Sequence, residues 1–132
     1  MQTVWLGAND SVRPDPNGHQ CVPLPDYKAN LKKIVQHSVL KEHSPCFILI
    51  TPPPVDEHQR HVWEGDNLWR TAERTKSYAD ACKAVGTELN IPVLDVWTLF
   101  EKAAGWKGGE KYPGSLLMPA SDKLKSLLVD GS

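Results

Sequence analysis

Long hydrophobic runs are missing from this chain. The longest one in mid-sequence, Cys46–Ile50, falls far short of the ~20 residues that a membrane span needs. The opening Met1-Gln2-Thr3-Val4-Trp5 has neither a basic nor an extended apolar segment, so no secretory leader is expected and a cytoplasmic location is. An excess of either charge is missing too. Fifteen Lys and Arg stand against sixteen Asp and Glu, for a net charge of −1, which argues against nucleic acid or an acidic membrane surface as the main partner. Cysteine is scarce: Cys21, Cys46 and Cys82 are odd in number and scattered. They read as reduced thiols, with Cys46 an inert small hydrophobe in a buried strand, and not as a disulfide frame or zinc site. No Gly-x-Ser-x-Gly elbow occurs. Proline, by contrast, is plentiful at 11 of 132 residues, above the ~5% average. It gathers in loops such as Pro52-Pro53-Pro54. One domain's worth of chain remains, residues 1–132, able to bury a core without a staple.

The pattern of elements is alternating. Thr3-Val4-Trp5-Leu6, stopped by Gly7-Ala8-Asn9-Asp10, predicts a buried strand running into a loop. Ser11–Pro23 reads as loop. From Pro25, the positions Tyr27, Leu31, Ile34, Val35 and Ser38 predict an amphipathic helix of about four turns. Cys46–Ile50 predicts a strand buried on both faces. A polar loop is expected over Pro52–Asn67, then a long helix marked by Leu68, Thr71, Thr75, Tyr78, Ala79, Cys82, Val85 and Leu89 and closed by Asn90. Ile91–Val96 predicts a third strand, with Pro92 tolerable near its start. Trp97–Ala104 predicts a short helix stopped by Gly105, and Gly108–Ser121 a loop. Strands alternating with helices argue for an α/β layer of parallel strands. Ligands in such sheets bind beyond the carboxyl ends of the strands, here Gly7–Asp10, Thr51–Glu57 and Asp95-Val96-Trp97.

Several of these segments occur together in one known family. Gly7-Ala8-Asn9-Asp10 resembles the G-x-N-D block of the SGNH (GDSL) hydrolases. Val22–Leu31 is similar to the helix that follows that block. Leu49-Ile50-Thr51-Pro52-Pro53-Pro54-Val55-Asp56-Glu57 resembles the T-P-P-P-x-D-E loop of the isoamyl acetate-hydrolysing esterase branch. Arg70–Thr75 with Tyr78-Ala79 and Ala81-Cys82, and Ile91–Trp97, are similar to that branch's next helix and strand. Leu127-Leu128-Val129-Asp130-Gly131 resembles the approach to its final D-G-L-H block. The resemblance implies a three-layer, flavodoxin-like α/β fold with a parallel sheet, lacking its first strands. It also implies hydrolysis of short-chain carboxylic esters, with no cofactor and no metal.

The family's site gives each retained position a role. Asn9 would donate its side-chain N–H to the oxyanion, and Asp130 would orient the histidine base. Gly7 allows close backbone approach, and Asp10 braces the loop; both are expected beside the substrate, as is Trp97, which follows a strand's carboxyl end. Asn9 also suits a plain Asx-turn after a strand. No Gly-Asp-Ser occurs in the chain, and Pro113-Gly114-Ser115 is a poor substitute. The family's histidine, due three positions after Asp130, is not among the 132 residues. A truncated or catalytically incomplete ester hydrolase is therefore expected. The alternative is a non-catalytic binding or complementing protein. In either case Thr3–Leu6, without the nucleophile-bearing strand beside it, is an edge open to self-association or another chain. Asp56-Glu57-His58 with His61 is read as a solvated loop near the site, not a metal centre. His19, His37 and His43 are scattered, and His37 and His43, on or just after a lysine-rich helix, are read as surface residues. Trp63, Trp69 and Trp106 are read as core packing or loop anchors.

Overall fold

Three parallel strands in sequence order form the sheet in the computed structural model, which describes residues 1–14, 20–43, 46–109, 112–116 and 118–128. β1 is Gln2–Trp5, β2 is Phe47–Ile50 and β3 is Val93–Leu94. The register pairs Val4 with Leu49 and Leu49 with Val93, so these side chains share a face. On that face they meet α1, Leu24–Gln36, and α4, Ala72–Leu89. Tyr27, Leu31 and Val35, one helical turn apart, supply the buried stripe of α1. Tyr78, Ala81, Cys82 and Val85 supply that of α4. Burial pushes the Cys82 thiol up to about 11, in keeping with a packing role.

The opposite face is the more exposed one among the described residues. Trp5 pairs in register with Ile50, and Ile50 with Leu94. Trp5 is 58% and Leu94 46% exposed. The expected burial of β2 on both faces is therefore corrected: Phe47 and Leu49 are buried, whereas Ile48 and Ile50 are only half-buried. Likewise β1 alternates half-buried and exposed positions. β1 is an edge of this sheet, as the family resemblance, without its nucleophile-bearing strand, implies.

Local chemistry sets the boundaries. Pro25 lies in the first turn of α1 with Asp26, where a missing N–H costs nothing and a negative charge suits the dipole. The helix stops at the extended His37, and α2, Ser38–His43, restarts the chain. Thr71 caps α4, accepting from the Arg74 N–H at 3.3 Å, so that helix begins after Leu68. Asn90 ends it in the left-handed region, φ 53°. Gly86 permits the packing of α4 on β3: a Cβ there would lie 2.1 Å from Val93 Cγ2. Ile91 and Pro92 lie outside β3, which holds two residues because Asp95 already caps α5, Val96–Ala103. Cys46 precedes β2 and is exposed, not buried in a strand as expected.

The expected loop Pro52–Asn67 contains a helix, α3, Glu57–Glu64. Asp56 caps it, accepting from the His58 and Gln59 N–H groups at 3.0 and 3.2 Å. Ser121 caps the last helix, α6, Asp122–Leu127, whose Leu124 joins Ala120 and Leu128 against Phe100 of α5. None of the helices among the described residues is long and apolar enough to cross a membrane.

Candidate functional site at the carboxyl ends of the strands

The loop after β1 is held from below and from within. Tyr27 donates its hydroxyl to the Leu6 carbonyl at 3.0 Å, with its ring buried in the core. Gly7 then turns at φ +117°, where a Cβ would lie 2.9 Å from the Tyr27 hydroxyl and 3.1 Å from Pro52 Cγ. Only glycine suits both the backbone and the space. Asp10 accepts the Gly7 N–H at 3.1 Å, and the Ser11 and Val12 N–H groups close back on the Gly7 and Asn9 carbonyls. Asp10 thus braces the loop. The Asx-type contact belongs to Asp10, and Asn9 is left to point outward.

Asn9 is exposed. Its Oδ1 accepts a hydrogen bond from Arg70 Nη2, and no described residue accepts from its Nδ2. The amide is thus anchored by its oxygen, with its two N–H donors directed elsewhere. That arrangement can stabilise a developing negative charge. Arg70 is itself well placed. Trp69, beside it, donates its N–H to Glu64 Oε2 at 2.9 Å and accepts from the Arg13 N–H at 2.7 Å. Partial burial, with the nearby Arg60 cation, lowers the Arg70 pKa from its usual value, opposed by Glu64.

The ends of β2 and β3 are tied to each other. Thr51 donates to Asp95 Oδ1 at 3.3 Å and accepts the Trp97 N–H at 3.0 Å. The Trp5 indole N–H donates to the Thr51 carbonyl at 3.0 Å. Burial would raise the Asp95 carboxyl, but hydrogen bonds from Thr98 and Lys83 outweigh it and hold the group below its usual value. Trp97 is 0% exposed, in edge-to-face contact with Trp106 and Tyr112 at centroid distances of 5.5 and 5.1 Å. Its ring is packed in the interior against these two rings.

Glu57 has a structural role that sequence reasoning missed. Its buried carboxylate accepts the Ala72 N–H at 2.6 Å and the Leu116 N–H at 2.7 Å, joining α3, α4 and the 112–116 loop. Beside it lies a cleft of about 710 Å³ lined by Arg13, Glu57, Leu68, Thr71, Tyr112 and Ser115. Asn9 is not among its walls. His58 and His61 sit on α3, not in the loop expected for them. His58 Nε2 is 2.9 Å from the Ser115 carbonyl, and His61 Nδ1 is 2.8 Å from that of Gly65. The two rings therefore engage separate partners, and no group of three His, Cys, Asp or Glu among the described residues could hold a metal. His37 and His43 are exposed, as is Trp63. Asp130 and His19 lie outside the described residues.

A strand ending in a braced Gly-Ala-Asn-Asp turn, with its Asn amide anchored and outward, agrees with the comparison of the chain to known families. The profile for "GDSL-like Lipase/Acylhydrolase" matches residues 1–126. The chain belongs to this family. Among its relatives, a GDSL esterase/lipase of Arabidopsis thaliana is 42% identical over 113 residues, covering 80% of this chain and 46% of that protein. The isoamyl acetate-hydrolyzing esterase 1 homolog of Mus musculus is 41% identical over 107 residues, covering 76% of this chain and 42% of its own length. A crystal structure of the lipase/acylhydrolase from Enterococcus faecalis superposes with a TM-score of 0.59 and 25% identity, over 78% of this chain and 45% of that one. The chain thus spans less than half the length of these GDSL relatives.

Proposed function

We propose that this chain forms the oxyanion-binding part of a serine ester hydrolase acting on short-chain carboxylic esters of the acetate type. The observation that carries the reading is the Asn9 amide, fixed by Arg70 through its oxygen at the carboxyl end of β1. In a hydrolysis by this route, serine attacks the ester carbonyl and the carbonyl oxygen becomes an oxyanion. Donors held in advance at that position lower the barrier without reorganising. Asn9 Nδ2 is such a donor, Gly7 and Asp10 set its backbone, and Asp130 would orient the histidine. Serine and histidine come from outside these 132 residues. No metal or cofactor takes part in this scheme, and a cytoplasmic setting belongs to the same proposal.

The test joins the full chain to the flanking segments of the Mus musculus relative and follows hydrolysis of isoamyl acetate. The joined protein is expected to release acetate, and the 132-residue chain alone is not. A folded joined protein without ester hydrolysis would contradict the proposal.

A second reading has one observation of its own. β1 is an edge strand whose open face carries Trp5, 58% exposed, and such an edge can pair with another chain. A binding or complementing role, including self-association through Thr3–Leu6, requires that this strand be protected from hydrogen exchange in a complex. Free exchange of those amides in every state would exclude it.

A further inference from the structure

We propose that Arg70 is a positioning residue that selects the working orientation of the Asn9 amide; this inference rests on the oxyanion role given to Asn9 above. An asparagine side chain has two nearly isosteric orientations. In one its N–H₂ faces the reacting oxygen, and in the other its carbonyl oxygen does, which would repel a developing anion. Something outside the residue must choose. A guanidinium carries donors only and no acceptor. It can therefore satisfy Oδ1 but not Nδ2, and a flipped Asn9 would set N–H against N–H. The bond from Arg70 Nη2 to Asn9 Oδ1 fixes both donors of Nδ2 on the other side.

The selector itself must not wander, and the chain around Arg70 supplies the constraint. Trp69 is bonded on both sides of its peptide. Its N–H goes to Glu64 of α3, which also accepts from Arg60 at 2.7 Å, and its carbonyl takes the Arg13 N–H. Thr71, on the other side, caps α4. Arg70 is thus clamped between two helices. One of its clamps, Arg13, belongs to the loop that carries Asn9. The cation also draws electron density from the amide through Oδ1, which makes Nδ2–H a better donor.

A double-mutant cycle in the joined protein separates this role from a structural one. Asn9→Ala is expected to lower kcat by roughly 10²–10³. Arg70→Ala is expected to lower kcat on the order of 10-fold or more and to leave KM within about twofold, because orientation of the oxyanion donor is felt in the transition state. In the Asn9→Ala background the same change should cost less than about twofold, since the amide it orients is gone. Arg70→Met keeps the aliphatic stem and serves where the alanine variant fails to fold. Equal losses in both backgrounds, or no loss in the parent, would overturn the role given to Arg70. No loss on Asn9→Ala alone would instead remove the oxyanion assignment, whatever Arg70 does.

Discussion

At the scale of single residues, Gly7 carries the tightest constraint. Its φ of +117° and the 2.9 Å approach of the Tyr27 hydroxyl to a would-be Cβ act together. Gly7→Ala is expected to destabilise the fold by about 1–3 kcal/mol, read as a lower urea midpoint. Glu101 carries a different cost. It is fully buried, and neither carboxyl oxygen meets a hydrogen-bond partner among the described residues. Burial pushes its pKa from 4.5 up to about 8. In the unfolded chain the group ionises near 4.5, whereas the folded chain keeps its proton to about 8. The folded state therefore binds more protons across that window, and this contribution to stability falls as pH rises through it. Glu101→Gln should flatten the decline between pH 5 and 8, measured by thermal midpoints across that range. An unchanged profile would mean that Glu101 is not the group responsible.

The turn at Gly7, Asn9 and Asp10 was legible at this scale because a strand stopped by Gly-x-Asn-Asp is a local signal. Arg70 was not. It meets Asn9 across 61 positions of sequence, and no periodicity links a residue before one helix to a loop after the first strand. The place of Trp97 after a strand was legible too, whereas its ring contacts with Trp106 and Tyr112 join separate segments and carry no local signal.

Among the elements, α1 and α4 were legible from their apolar stripes, while α3 was not. Its sequence, EHQRHVWE, is polar on most sides and follows three prolines, so hydrophobic spacing gave no helix. The available signal was the cap: Asp56 followed three residues later by Gln59 has the spacing of an N-terminal capping pair. α3 is held in place by Glu57 more than by apolar packing. Glu57→Ala would leave the Ala72 and Leu116 N–H groups without an acceptor. The expected cost is about 1–3 kcal/mol for each group left buried and unpaired. Hydrogen exchange should accelerate first at the start of α4 and in the 112–116 loop. If only α3 loosened, the carboxylate would not be the joint between these segments.

On the scale of the whole molecule, the sheet has one buried face and one more exposed face among the described residues. The core of α1, α4 and the inward side chains of β1, β2 and β3 is one cluster. The outward side leaves Trp5 and Leu94 in contact with solvent. Sequence alone predicted burial on both faces, because a continuous apolar run records that both sides of a strand are apolar, not what covers them. β1 is an edge of the sheet, with the Asn9 loop at its carboxyl end.

The oxyanion role proposed for Asn9 is best tested by kcat for isoamyl acetate in the joined protein with and without Asn9→Ala. The expected fall is roughly 10²–10³ with the thermal midpoint unchanged, because Asn9 is exposed and its side chain supports none of the core. A kcat within twofold of the parent, in a variant equally well folded, would contradict it.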